Sequence, residues 1–253
     1  MLLSRYLPII LVTLLTRASP RNTPPTLFIA GDSTAAKDDG SPLLLGWGEK
    51  IGQYLGTPVV NDAVSGATVR VFTEQGYFNE IISNVRPRDL VIIEFGHNDN
   101  RSLIDNPTTG DCPGADLETT CNINGTTVYT YKRYLQDAID ALRVKNVEII
   151  ISSQTPDNPY AIDTNPIFVQ YAEDLARVNR LSYIDHFHLL LKEYNALGEN
   201  ITDSLFPLDQ YVHTSPEGAD IAAQAIIRGV LCDIHNPLLP FISNTSVVPD
   251  TCL

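Results

Sequence analysis

The chain has 253 residues, enough to bury a sizeable core as one α/β domain or two small ones. Its 17 basic and 30 acidic residues leave a net charge of −13, which argues against nucleic acid as a partner, because phosphates need a basic surface. An acidic substrate would require local positive charge at its site, or conditions in which carboxylates are partly protonated.

The chain begins with a short basic start and an apolar run, Leu7 to Leu15, too short to span a bilayer. Thr16-Arg17-Ala18 supplies small residues for processing, so residues 1–18 read as a signal peptide and 19–253 as the mature domain. Loss of Arg5 and Arg17 takes the mature charge to −15. No later stretch is long and apolar enough for a transmembrane helix, and a product released outside the cell, off the membrane, is expected.

The pivotal stretch follows. Thr26 to Ala30 is a buried strand, Gly31 breaks it, and Ser33 emerges at its carboxyl end, the edge where open α/β sheets bind ligands. Alone, Gly-Asp-Ser is ordinary turn chemistry. Glu49 to Leu55 reads as a short helix, Val59 to Ala63 as a second strand ended by Ser65-Gly66, and Tyr77 to Asn84 as a helix stopped by Pro87. Asp89 to Phe95 is a nearly continuous apolar strand ending at Gly96-His97-Asn98-Asp99.

Residues 100–126 read as a long polar loop, and loops of that length are usually functional. Val128, Tyr131, Leu135, Ala138, Ile139 and Leu142 then mark one face of a helix. Val147 to Ser152 and Leu181 to Asp185 are strands, with a helix from Phe168 to Val178 between them and another from Phe187 to Asn195. Asn200 to Val212 is expected to be loop, before Thr214-Ser-Pro-Glu217 opens the last helix with a capping box and an early proline. Alternating strands and helices predict a three-layer α/β/α sandwich with a mainly parallel, five-stranded sheet.

In an oxidising compartment the four cysteines predict disulfides. Neighbouring pairs, Cys112–Cys121 and Cys232–Cys252, are favoured because each closes a loop with turn-forming residues. Asn124, Asn200 and Asn244 head N-glycosylation sequons.

Three strand ends thus bring Ser33, Gly66 and Asn98 to one edge, and His213 sits on a loop that can return there. Acyl transfer needs such a set: a nucleophile, a base for its proton, and donors aimed at the developing oxyanion. The other histidines receive structural readings. His186 and His188 form a His-x-His pair without a third ligand at a matching spacing, His97 lines the edge, and His235 faces solvent. Trp47 is either a sugar-stacking platform or packing.

These residues resemble the SGNH (GDSL-like) hydrolase superfamily, whose four markers match Ser33, Gly66, Asn98 and His213 in chain order. The sequence is most similar to secreted fungal rhamnogalacturonan acetylesterases. The resemblance runs through Gly31-Asp-Ser-Thr-Ala-Ala, Gly46-Trp-Gly, Val60 to Gly66, Ile93 to Asp99, Ser152 to Pro156, Phe206-Pro207 and His213 to Ala219. It implies a flavodoxin-like sheet and removal of acetyl groups from pectic polysaccharide with no metal or cofactor; separately, a monomer is expected. It also implies that Ser33 is the nucleophile, His213 the base, and Ser33 N–H, Gly66 N–H and the Asn98 amide the oxyanion hole. The family pattern puts an Asp three residues before the histidine, where this chain has Gln210; Asp209, four before, is the provisional third member. The competing expectations are an esterase of acetylxylan or small acyl esters, and an impaired polysaccharide-binding relative.

Overall fold

The computed structural model describes residues 24–37, 40–162, 166–208, 211–250 and 252–253. The expected signal peptide and its processing point lie outside them, as do Asp209 and Gln210. Strands β1 (Leu27–Gly31), β2 (Val59–Asn61), β3 (Leu90–Glu94), β6 (Glu148–Ser152) and β7 (Ser182–Ile184) form one parallel sheet in the order β2-β1-β3-β6-β7. β1 and β3 are buried along their whole lengths, as their nearly continuous apolar runs require of strands covered on both faces.

The period of two along each strand divides the interior into two cores. Phe28, Ala30, Val91, Ile93, Ile149 and Ile151 point to one face. There they meet helices α1 (Val69–Glu74), α2 (Tyr77–Asn84), α3 (Tyr131–Val144) and α4 (Ile167–Asn179) through Phe72, Phe78, Leu135 and Leu175. Leu27, Ile29, Leu90, Ile92 and Ile150 point the other way. They pack on helices α5 (His186–Leu197) and α7 (Pro216–Cys232) and on two 3-10 turns, Trp47–Glu49 and Ile51–Tyr54. Each side chain the size of Ile92 contributes about 1.5–3 kcal/mol by leaving water. The result is the three-layer sandwich expected.

Several local expectations are corrected. The helix expected over Glu49 to Leu55 is the pair of 3-10 turns, each closed by i→i+3 bonds such as Lys50 N–H to Trp47 O (2.9 Å). Within the expected loop 100–126 a hairpin begins, β4 (Thr120–Ile123) with β5 (Thr126–Tyr129). It turns at Asn124-Gly125, where φ of 51° and 84° suits the tight turn that Asn-Gly favours. α1 and the short helix α6 (Glu199–Ser204) were both unexpected. α7 is capped by Ser215, whose hydroxyl accepts from Gly218 N–H, rather than by Thr214.

Disulfides join Cys112 to Cys121 and Cys232 to Cys252. Asn124, Asn200 and Asn244 are all exposed. Among the described residues, no helix is long and apolar enough to cross a membrane.

Candidate active site

β2 leaves β1 on one side and β3 leaves it on the other, so a topological switch point lies at the carboxyl end of β1. Ser33 follows β1 there. The Asp32 carbonyl accepts the Ala35 and Ala36 amides (3.2 and 3.0 Å), and its Oδ1 accepts both the amide and hydroxyl of Thr34 (3.0 and 2.9 Å). This Asx-type turn ends the strand and presents Ser33. Burial pushes the Asp32 carboxyl above the usual carboxylate range, with His97 and the Thr34 bonds opposing.

His213 returns to the same edge, and its Nε2 lies 2.9 Å from Ser33 Oγ. Its loop is stitched down on both sides. Leu45 N–H donates to Thr214 O (2.9 Å), and Ser215 N–H donates to Leu205 O (2.7 Å). Ser33 and His213 line a cleft of about 200 Å³ together with Lys37, Leu45, Ser65 and Thr214.

Gly66 follows Ser65 of the cleft wall, and Arg101 bridges it to Asn98. Gly66 adopts φ of 75°, a left-handed conformation that glycine reaches at no steric cost. Asn98 Nδ2 donates to Ala67 O (3.1 Å). Neither the Ser33 nor the Gly66 amide meets an acceptor among the described residues, so both remain able to donate to a ligand. An ester carbonyl in the cleft would meet a hydroxyl with an imidazole nitrogen against it.

The structure also reveals residues that sequence reasoning missed. Arg101 donates from Nη1 to Gly66 O (3.1 Å) and from Nη2 to Asn98 Oδ1 (2.7 Å). Asp99 Oδ1 accepts Val69 N–H at the start of α1 (2.7 Å). Asp99 lies against Asp111, and burial first, then the like charge of its neighbour, raises Asp111 to about 10. Burial raises Asp99 to about 7, opposed by its proximity to Asp111 and by the bond from Val69 N–H. No sequence spacing marked these residues.

Beneath the site, Glu94 sits at the end of β3, almost wholly buried. It accepts Trp47 Nε1–H (2.7 Å), the Ser152 hydroxyl, and faces His186 Nδ1 at 2.8 Å. His186 Nε2 lies 3.0 Å from Ala222 O, which can only accept, so Nε2 carries a hydrogen. A further proton therefore lies between Nδ1 and Glu94. Trp47 is fully buried and serves packing, not sugar stacking. His188 pairs with Asp185 (2.8 Å), and His97 contacts the Thr155 hydroxyl (2.9 Å) and lies 3.6 Å from Asp157. His235 is exposed. Among the described residues, no three His, Cys, Asp or Glu side chains are grouped to hold a metal ion.

A serine and a histidine thus lie in contact above the switch point of a parallel sheet. The chain belongs to the GDSL-like lipase/acylhydrolase family, whose model matches residues 29–221, and is a carboxylic ester hydrolase. It is 36% identical over 215 residues to a rhamnogalacturonan acetylesterase of Emericella nidulans, covering 82% of this chain and 85% of that protein. It is 23% identical to a probable rhamnogalacturonan acetylesterase of Bacillus subtilis, YesY, covering 81% and 91%. Among solved structures, a catalytic mutant of Axe2, an acetylxylan esterase from Geobacillus stearothermophilus, shares the fold. The TM-score is 0.57 with 18% identity, over 82% of this chain and 94% of that one. A Bacillus subtilis protein reaches a TM-score of 0.69 with 20% identity; the match covers 83% of this chain but 57% of that longer chain.

Proposed function

We propose that this protein is a secreted serine esterase that removes acetyl groups from acetylated rhamnogalacturonan. The observation that carries the reading is the 2.9 Å contact between His213 Nε2 and Ser33 Oγ at the sheet's switch point. Ser33 Oγ attacks the acetyl carbonyl carbon while His213 Nε2 takes its proton. The charge gathering on the carbonyl oxygen is held by the Ser33 and Gly66 amides and the Asn98 side chain. His213 returns the proton to the sugar oxygen as that C–O bond breaks. Water, deprotonated by His213, then releases acetate and restores Ser33. Asp209 is assigned to orient His213 and favour its charged form.

The Emericella nidulans relative, by its name, acts on rhamnogalacturonan, and this supports the same substrate here. Lys37 on the cleft wall supplies the local cation that a uronate-containing polymer requires of so acidic a protein. The apolar leader, two disulfides and three exposed sequons support secretion.

The test measures acetate released from acetylated rhamnogalacturonan, acetylxylan and p-nitrophenyl acetate by wild type and folded Ser33→Ala. Release from rhamnogalacturonan should exceed that from xylan and vanish in the variant. Wild-type turnover by Ser33→Ala would remove the nucleophile, and a preference for xylan would remove the substrate.

A further inference from the structure

We propose that Arg101 is the positioning residue of the oxyanion hole, gripping with one guanidinium the two donor-bearing residues that lie outside the nucleophile's turn. The proposal rests on the reading of Gly66 and Asn98 as oxyanion donors.

Polarity fixes how the Asn98 amide is turned. An asparagine amide must be turned one way or the other, and only one orientation offers N–H groups to an oxyanion. Arg101 Nη2 can only donate, and it bonds Asn98 Oδ1 at 2.7 Å. Ala67 O can only accept, and it bonds Asn98 Nδ2 at 3.1 Å. Both neighbours therefore demand the same orientation, with the amide oxygen toward Arg101. Nδ2 carries two hydrogens; Ala67 uses one, and the second remains for a ligand.

The same guanidinium reaches Gly66 O through Nη1 at 3.1 Å. Gly66 has a positive φ, so its neighbouring peptides have more freedom than those of any other residue, and a fixed carbonyl limits where its N–H can point. Asp99 extends the grip by accepting Val69 N–H at 2.7 Å. The turn at residues 98–101 thus holds Gly66, Ala67 and Val69 in succession, joining the loop after β2 to the loop after β3. A planar fork is suited to this task because its two nitrogens have a set spacing; an ammonium on a flexible stem has none.

Oxyanion donors act on the transition state, and a small misplacement costs rate rather than binding. Removing a donor outright typically costs about 10²–10³-fold in kcat. Arg101 holds two donors in place without being one, so Arg101→Ala should lower kcat by roughly 10–100-fold and change KM for p-nitrophenyl acetate less than about threefold. Arg101→Lys keeps the charge, loses the fork, and should show the same split if the alanine variant folds poorly. Because Arg101 acts through Asn98 and Gly66, Arg101→Ala should cost much less in an Asn98→Ala background than alone. Millimolar guanidinium should restore part of the lost kcat of Arg101→Ala.

Three results would overturn the proposal. One is unchanged kcat in both Arg101 variants. Another is a rise in KM alone, which would make Arg101 a substrate contact from the cavity of about 340 Å³ that it lines with Tyr131, Phe168 and Tyr171. The third is full additivity with Asn98→Ala. Ser33→Ala, run in parallel, separates failure of this proposal from failure of the esterase reading. Only the latter leaves that variant active.

Discussion

His186→Phe removes both ring nitrogens from the core and keeps a ring of similar size against Trp47. Glu94 would retain its bonds from Trp47 and Ser152 but lose its histidine partner, and Ala222 O would lose its donor. Removing one partner of a buried pair costs about 3–5 kcal/mol, because the group left behind has neither that partner nor water. The bond lost at Ala222 O, worth about 1 kcal/mol by itself, falls within that range. In a chain of this size the loss should lower Tm by about 6–20 °C. Urea denaturation at pH 7 with disulfides intact measures it. The double variant Glu94→Gln/His186→Phe should be more stable than His186→Phe at pH 7. A deficit below about 1 kcal/mol at pH 7 refutes a stabilising Glu94–His186 pair.

Two further expectations concern titrating groups. Asp99 and Asp111 have raised values in the folded state, near 7 and 10, so the fold holds protons that the unfolded chain releases above about 4. Their contribution to stability thus falls as pH rises through those values, and Asp111→Asn should flatten the decline in Tm between pH 5 and pH 8; an equally steep decline in the variant contradicts the pairing. Asp209→Asn should cut kcat/KM by at least about 10-fold, since losing an orienting carboxylate can cost up to roughly 10⁴, while Gln210→Ala should be much milder. Both variants are to be measured on one acetyl ester across a pH series; the reverse ranking would assign the imidazole to Gln210, and two silent variants would leave a Ser33–His213 dyad.

The parts of the molecule that were legible in sequence are those whose burial is complete. β1, β3 and β6 read as strands because nearly every residue in them is apolar, and α3 read as a helix because its buried face recurs at three and four residues. α1 was invisible because Val-Arg-Val-Phe-Thr-Glu favours a strand by propensity. It is helical because the Thr68 hydroxyl caps Val71 N–H and the Asp99 carboxylate takes Val69 N–H, and that second partner comes from 30 residues away. α6 owes its place to a similar contact, since buried Thr202 donates to Tyr194 O (2.9 Å). The Asn124-Gly125 hairpin signal was present but was read as a sequon alone. At the site, Ser33 and His213 were legible as motifs. Arg101 was not, because its partners are a backbone carbonyl and an amide oxygen, and neither leaves a trace in residue spacing. Glu94 had left one: a single charge inside Leu-Val-Ile-Ile-Glu-Phe signals a buried network, and with it the fate of Trp47.

The contact between Ser33 and His213 joins residues 180 positions apart. A ribosome issues Ser33 well before His213, which lies just ahead of the α7 helix that packs into the second core. Local structure can form early, but a pairing of this span must wait for the loop between to be closed by the rest of the fold. No amino-terminal fragment ending before His213 can hydrolyse by the proposed route, however much of the sheet it builds. Ester turnover during refolding is therefore a late signal, following the recovery of secondary structure, and it reports that α7 has docked.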